Sequence, residues 1–460
     1  MKNRQVLLIN PWIADFAAYD LWAKPLGPLY IGKFLREYNY ELELIDLTDR
    51  LHWGPFDTSG KITSRGKYHK TIIRKPDIVA HVPRRFGLYG ATLEQFRAAL
   101  SDLKTPLAIL ITSQMSYWYP GLIETVAVLR EQFADITILL GGTYATLFPE
   151  HARKSIKPDY LITGYGEKET LKILDEVSGL SRDYQQIPNT NDRGSLPWDL
   201  YPNLKTVGIL TSRGCPLNCD YCATKFLNPH FLQRPVSDIS SEILELQDKY
   251  HVKDIAFYDD ALLVNRKKHI IPILKKLISR NIHMKFHTPN GLFARDIDSE
   301  MAELMRAAGF TTIRLGLESI IPKFQKSSSY KVSTSHFENA LIHLENAGYH
   351  RKDIETYLIM GLPGQQYTDV EKTINYVAEQ GAISRLAAYT PIPHTQTWEI
   401  ARQMGYIDDD IDPLLTNNTL YPCANENFPV EKFAELRQIS NDMNSKIRNF
   451  LPESPNLGSN

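Results

Sequence analysis

Along the first 180 residues, short apolar runs rich in β-branched side chains alternate with stretches whose apolar positions recur every three or four residues. The runs QVLLIN (5–10), ELELID (41–46), LAILIT (107–112), ITILLGG (136–142) and DYLITG (159–164) read as strands. Helices fit between them near 27–38, 92–103, 120–133 and 167–176. Apolar strands of this length separated by helices predict a parallel sheet covered on both faces. The stretch 51–90 breaks the pattern: basic and aperiodic (KITSRGKYHKTIIRKP, then VPRRFGLYG), it reads as a surface insert in a domain spanning 1–180. Residues 181–204 are polar and carry three prolines, which suits a linker.

The alternation then resumes. Strands fit 206–212, 254–259, 283–288, 311–317, 354–360 and 384–389, and helices fit 236–249, 266–279, 298–308, 335–347 and 368–379. Six successive βα units predict a barrel or part of one over 205–400. The remainder, 401–460, is a helical extension ending in a helix at 429–450.

Length and composition narrow this α/β picture. At 460 residues the chain exceeds what one core serves, so two or three domains follow. With 52 basic against 53 acidic residues, nothing marks a dedicated nucleic-acid binder, and the basic insert reads as a solvated loop. The only apolar run near the start, VLLI, meets Asn10 and Pro11 and is too short for a signal peptide. No segment approaches the ~20 apolar residues of a membrane span, so a soluble cytoplasmic protein is expected. Four cysteines, three of them clustered, fit a reduced compartment and a metal site better than a disulfide framework.

The three are Cys215, Cys219 and Cys222, in TSRGCPLNCDYCATKF (211–226). This CxxxCxxC loop follows the first barrel strand, the end at which barrel active sites are built. A closed zinc site needs four ligands, and the remaining cysteine, Cys423, lies about 200 residues away. His230 is nearer, but the resulting Cys3His spacing is unusual; a redox CxxC leaves the third cysteine without a purpose. An iron–sulfur cluster accounts for all three and leaves one iron open, with zinc the competing reading.

With an aromatic residue, Tyr221, before the last cysteine, the loop resembles that of the radical S-adenosylmethionine (radical SAM) enzymes. The resemblance implies a 4Fe–4S cluster whose open iron binds the amino and carboxylate groups of S-adenosylmethionine, and reductive cleavage to methionine and a 5′-deoxyadenosyl radical. An external electron donor of the flavodoxin or ferredoxin type follows. FYDDALL, ending the second strand, stands where the family contacts the methionine ammonium, which points to Asp259 and Asp260; the family's usual Gly-Gly-Glu is absent. TIRLGLES (312–319) resembles the fourth strand, with Glu318 for the ribose hydroxyls and Arg314 to steady a carboxylate. IMGLPGQ (359–365) resembles the segment whose backbone meets the adenine, at Gly361; Tyr357 stands where some relatives carry an acid. HTPNG (287–291) offers Asn290 for cofactor or substrate.

The upstream domain resembles the flavodoxin-like cobalamin-binding domain of one radical SAM subclass. The resembling residues follow strands: Thr112 and Ser113, then Gly141, Gly142, Thr143 and Tyr144, then Glu167 in GYGEKE. The Asp-x-His-x-x-Gly that supplies a cobalt ligand in many cobalamin proteins is missing after the first strand, as it commonly is in this subclass. Trp12, Trp22 and SYWYPG (116–121) are candidates for an apolar floor under the corrin or for plain core packing. Methylthiotransferases are excluded, because the first 214 residues contain no cysteine. The resemblance implies methylation of an unactivated carbon of a small-molecule substrate. Radical cyclisation, rearrangement or oxidation, with or without cobalamin, is the alternative within the family, and a non-catalytic iron–sulfur carrier lies outside it. Neither nucleic acid nor membrane is expected as a partner.

Overall fold

Five parallel strands organise the first half of the computed structural model, which describes residues 3–54 and 64–450. They are β1 (Gln5–Asn10), β2 (Glu41–Asp46), β3 (Ala108–Ile111), β4 (Thr137–Leu140) and β5 (Tyr160–Leu161), and across the sheet they run 2-1-3-4-5. That is the flavodoxin-like order, with its crossing point between β1 and β3. Successive residues of a strand face opposite sides of a sheet, and both sides are packed here. Leu7, Ile9, Ile109, Ile111, Ile138 and Leu140 join Phe96 and Leu129 in one core. Val6, Leu8, Ala108, Leu110 and Leu139 join Phe34, Leu171 and Leu174 in the other.

The insert is less open than its composition suggests. Lys70–Ile72 and Ile13–Asp15 both pair antiparallel with Gly87–Tyr89, and Gly66–Lys67 pairs with Tyr19–Asp20. Of the stretch expected at 51–90, residues 55–63 lie outside the described residues, as do 451–460 of the tail. Two helices absent from the sequence reading, Thr143–Leu147 and Pro149–Ile156, follow β4.

The expectation of a linker at 181–204 is corrected. Arg182 Nε and the Tyr184 hydroxyl both donate to Asp175 Oδ2, at 2.6 and 2.8 Å, and the Tyr201 hydroxyl donates to Asp46 Oδ2 at 2.9 Å. Trp198 is buried. Polar composition hid a strap held by buried carboxylates. The compact units accordingly are Met1–Gly208 with Asp248–Val252 and Ile411–Asn417, and Ile209–Gln247, Lys253–Asp410 and Asn418–Asn460.

The second sheet holds β6 (Thr206–Ile209), β7 (Asp254–Phe257), β8 (Lys285–His287), β9 (Phe310–Glu318), β10 (Ile354–Met360) and β11 (Ile383–Ala388), in that order across it. The register from β7 to β11 is parallel throughout, as successive βα units require. Ile354, Thr356, Leu358 and Met360 are buried, whereas Glu355, Tyr357 and Ile359 alternate with them on a more open face. Ser384 of β11 is tied to the C-terminal helix Val430–Phe450: its N–H donates to Asn444 Oδ1 at 2.9 Å, and its hydroxyl meets that of Ser440 at 2.7 Å. Helices therefore cover one face of this sheet, as in a partial barrel. No helix among the described residues is long and apolar enough to cross a membrane.

Candidate functional site

The cysteine loop is pinned where it leaves β6. Ser212–Arg213 pairs with Leu232–Gln233, and Gly214 turns the chain at φ +81°. A Cβ at Gly214 would stand 2.8 Å from the His230 carbonyl, so only glycine fits the turn. Within the loop, Cys222 N–H donates to the Cys219 carbonyl at 3.0 Å. Distant segments hold it as well. Asp220 N–H donates to Ser327 O at 2.8 Å, Thr397 N–H donates to Asp220 O at 2.9 Å, and the Cys219 thiol donates to Ser328 O at 3.4 Å. The Phe226 ring stacks on His394 at 3.7 Å. Cys215 and Cys219 are half-buried and Cys222 is exposed.

Burial pushes the Cys215 thiol up to about 11, and raises that of Cys219 although Lys331 opposes the shift. Lys331 lies between the rings of Tyr221 and Phe293, 6.0 Å from each centroid, and pairs with Glu318 at 2.5 Å. Burial works against its charge, but the Glu318 carboxylate and the two thiols outweigh burial and hold the ammonium above its ordinary range. Tyr221 Oη is buried with no hydrogen-bond partner among nitrogen and oxygen atoms, and its acidity is suppressed by burial, then by Glu318 and the thiols.

What can these thiols hold? No three His, Cys, Asp or Glu side chains among the described residues close around one point as a single metal ion requires. A tetrahedral zinc with Zn–S near 2.3 Å would need sulfurs about 3.8 Å apart. The three thiols nevertheless share one short loop and feel one another's charge. Three thiolates supplied by one short loop fit one face of ligands for an iron–sulfur centre, which is held by cysteine thiolates. Cys423 lies buried elsewhere in the second unit, its thiol pushed up to about 12 by burial.

The remaining second-unit candidates divide by whether their polar atoms are already engaged. Asp259 is buried and accepts from Thr211 N–H (3.0 and 3.1 Å), the Thr211 hydroxyl (2.7 Å) and the Ser212 hydroxyl (2.6 Å). It fastens β7 to the start of the cysteine loop. Asp260 reaches solvent instead; the protein crowded around it, and then the Asp259 charge, push its carboxyl up to about 6. Asn290 Nδ2 donates to the Tyr258 and Asp259 carbonyls at 2.8 and 3.3 Å, bracing that strand end. Arg314 is buried and engaged through Nε with Glu355 (2.7 Å) and through Nη1 with the Tyr357 hydroxyl (2.8 Å) and Pro289 O (3.3 Å). Glu318 adopts φ +64° at a bulge of β9. Gly361 N–H donates to Gln365 Oε1 at 2.7 Å, and its φ of +87° and lack of a side chain accommodate the Phe433 ring.

The first-unit candidates gather at the carboxyl ends of β3 and β4. The Ser113 hydroxyl donates to Gly141 O at 2.7 Å and accepts from Ala145 N–H at 3.2 Å, while Thr143 N–H donates to Ser113 O at 2.8 Å. Gly142, at φ +99°, permits this contact; its Cβ would lie 2.3 Å from Ser113 O. A Cβ on Gly141 would meet nothing closer than 3.7 Å, so there the edge stands open. Thr112 and Thr143 are half-buried beside it. Tyr144 is buried, its hydroxyl 2.7 Å from His151 Nδ1, and Glu167 is buried at the start of helix Glu167–Ser178. A small-residue edge with no imidazole after β1 fits a flat cofactor held without a protein ligand. Trp12 and Trp22 are buried, and Trp12 packs edge-on against Phe96, so core packing accounts for them. A cavity of about 280 Å³ opens at the other side of the sheet, on β2, lined by Asp46, Asp49, Trp53 and Tyr201; none of these candidates lines it.

Sequence reasoning missed Lys331, Arg385 and the cluster in which the Tyr119 hydroxyl donates to Asp412 at 3.0 Å beside His151. A lysine after a serine run and an arginine in an apolar strand carry no motif. Only the fold brings them to partners.

Residues 209–377 match the model of the radical SAM superfamily. The cytidylyl-2-hydroxyethylphosphonate methyltransferase of Streptomyces wedmorensis is 22% identical over 460 aligned residues, covering 89% of this chain and 84% of that protein. An uncharacterized methyltransferase of Pyrococcus horikoshii is 24% identical over 330, covering 64% and 69%. Among solved structures, the radical S-adenosylmethionine methyltransferase TsrM of Kitasatospora setae, with cobalamin and a [4Fe-4S] cluster bound, aligns with a TM-score of 0.64 at 14% identity. That alignment covers 95% of this chain and 91% of TsrM. The likeness shows that the chains share a fold.

Proposed function

This chain carries a radical S-adenosylmethionine domain, and on that premise we propose that it methylates an unactivated carbon of a small-molecule substrate with the help of cobalamin. The observation carrying the reading is the pinned loop of Cys215, Cys219 and Cys222 after β6, in a chain that begins with a flavodoxin-order sheet. Methyltransferases, one of them acting on a cytidylyl phosphonate, outnumber the single cyclase among these relatives, which supports methyl transfer as the first reading and cyclisation as the second.

When bound, the cluster and S-adenosylmethionine supply a 5′-deoxyadenosyl radical, and the corrinoid a transferable methyl group. The chain's own part is placement. The thiolates of Cys215, Cys219 and Cys222 would hold the cluster. Asp260 offers a carboxylate to the cofactor's ammonium, with Asp259 and Asn290 keeping its strand end in place. Glu318, poised by the bulge, is the acceptor for ribose hydroxyls, and Tyr221 contributes a buried hydroxyl beside it. Gly361 lets the chain turn where the adenine approaches. Arg314 steadies the cavity wall through Glu355. In the first unit, Thr112, Ser113 and Thr143 provide short polar contacts around Gly141 and Gly142 for the corrinoid's nucleotide tail, and Tyr144 and Glu167 close the same edge. An external flavodoxin or ferredoxin supplies the electron, in the reducing cytoplasm.

The test is anaerobic reconstitution of the full chain, reduction, and addition of S-adenosylmethionine. 5′-Deoxyadenosine with retained iron, sulfide and corrinoid supports the proposal. A full cluster without that product favours a carrier. The product without any corrinoid binding overturns the cobalamin part.

A further inference from the structure

Ser384 and Arg385 are consecutive in β11 and therefore point to opposite faces. Ser384 is taken up by the C-terminal helix, so Arg385 lies on the face the helices leave open, beside Glu355 and Tyr357. There Arg385 Nη2 pairs with Glu355 Oε1, while Arg314 Nε holds Oε2 at 2.7 Å. Two guanidiniums thus share one carboxylate, leaving this network with one positive charge in excess. The two arginines are not equivalent. Arg314 is buried and bound on to Tyr357 and Pro289, which makes it a strut. The Arg385 side chain keeps 47% of its surface exposed. Among the described residues, its Nε and Nη1 donate to nothing.

We infer that Arg385 receives an oxyanion of the substrate, a carboxylate or a phosphoryl group, on the open face of the second sheet. The inference rests on the enzyme reading above. A guanidinium presents its donors in a rigid plane that matches two oxygens of either group. Glu355 neutralises only one of the two guanidiniums it meets, which leaves a net cation to attract the ligand. A plain surface ion pair needs neither the strut nor the unused donors.

The test is calorimetric titration of the full chain, with its cluster reconstituted, using inorganic phosphate, methylphosphonate and acetate at low ionic strength. Saturable binding is expected, with the phosphoryl probes or acetate preferred according to which group the substrate carries. R385Q should weaken it at least about tenfold, R385K should retain part of it, and E355Q should strengthen it by releasing the second cation. The inference is overturned by absent binding, by equal binding in R385Q, by weaker binding in E355Q, or by displacement with S-adenosylmethionine. 5′-Deoxyadenosine formation by the unaltered chain is measured in parallel. Its absence strikes the enzyme reading; its presence without an oxyanion site strikes this inference alone.

Discussion

Lys331 and Glu318 stand 2.5 Å apart as an ion pair whose side chains keep only 12% and 13% of their surface exposed. Three residues with positive φ bring them together: Glu318 itself, Ser329 at +55° and Tyr330 at +48°. Each such residue costs on the order of 1–3 kcal/mol, a strain the rest of the fold must overcome. K331M leaves the Glu318 carboxylate unpaired and should lower stability in chemical denaturation by about 2–4 kcal/mol, below the cost for a fully buried pair. K331M/E318Q should recover most of that loss. With the cluster loaded, K331M should also move its reduction potential more negative, read by titration under electron paramagnetic resonance.

Replacing Cys215, Cys219 or Cys222 by alanine should strip iron and sulfide from the protein after reconstitution. C423S should keep both, because Cys423 is a buried thiol apart from the loop. Iron and sulfide analysis of the four variants decides the ligand set.

The adjacent carboxylates should fail differently. D259N turns amide protons toward donors from Thr211 and Ser212, and should cost about 2–4 kcal/mol in thermal or chemical denaturation. D260N should fold normally and weaken S-adenosylmethionine binding. Since the Asp260 carboxyl is raised to about 6, cofactor affinity in the parent should fall as pH drops through that value and stay flat in D260N. The stability sign runs the other way. Protonated Asp260 favours the fold below the ordinary 3.8, and that contribution is lost as pH rises through about 6, so D260N should be the more stable protein at neutral pH.

Glycines 141 and 142 separate architecture from binding. G142A forces a Cβ into Ser113 O at a positive φ and should destabilise the first unit by about 2–4 kcal/mol. G141A meets nothing within 3.7 Å and should melt like the parent. If the corrinoid lies there, it should nonetheless retain less of it, measured by absorbance after desalting.

Long apolar strands declared themselves in the sequence: β1, β2 and β10 fall at the residues their hydrophobic runs predict, because burial on one or both faces leaves a local pattern. The insert did not, since two- and three-residue strands take their register from partners as distant as Asp15 and Gly87. The strap at 181–204 was misread because its order comes from side-chain bonds that leave no periodic pattern: to Asp175, just upstream, and from Tyr201 to Asp46, far away in the chain. At the site, the cysteine spacing was legible from a motif alone. That Asp259 is internally engaged while Asp260 is open could not be read, because both are the same residue type one position apart.

The cysteine loop is gripped by backbone from outside itself, around Leu232, Ser327 and Thr397. Much of the ordering that a metal centre would otherwise impose on a floppy hairpin is therefore done by polypeptide. Loading should resemble seating a part in a finished socket more than folding around a nucleus, with iron uptake faster than any refolding of the chain.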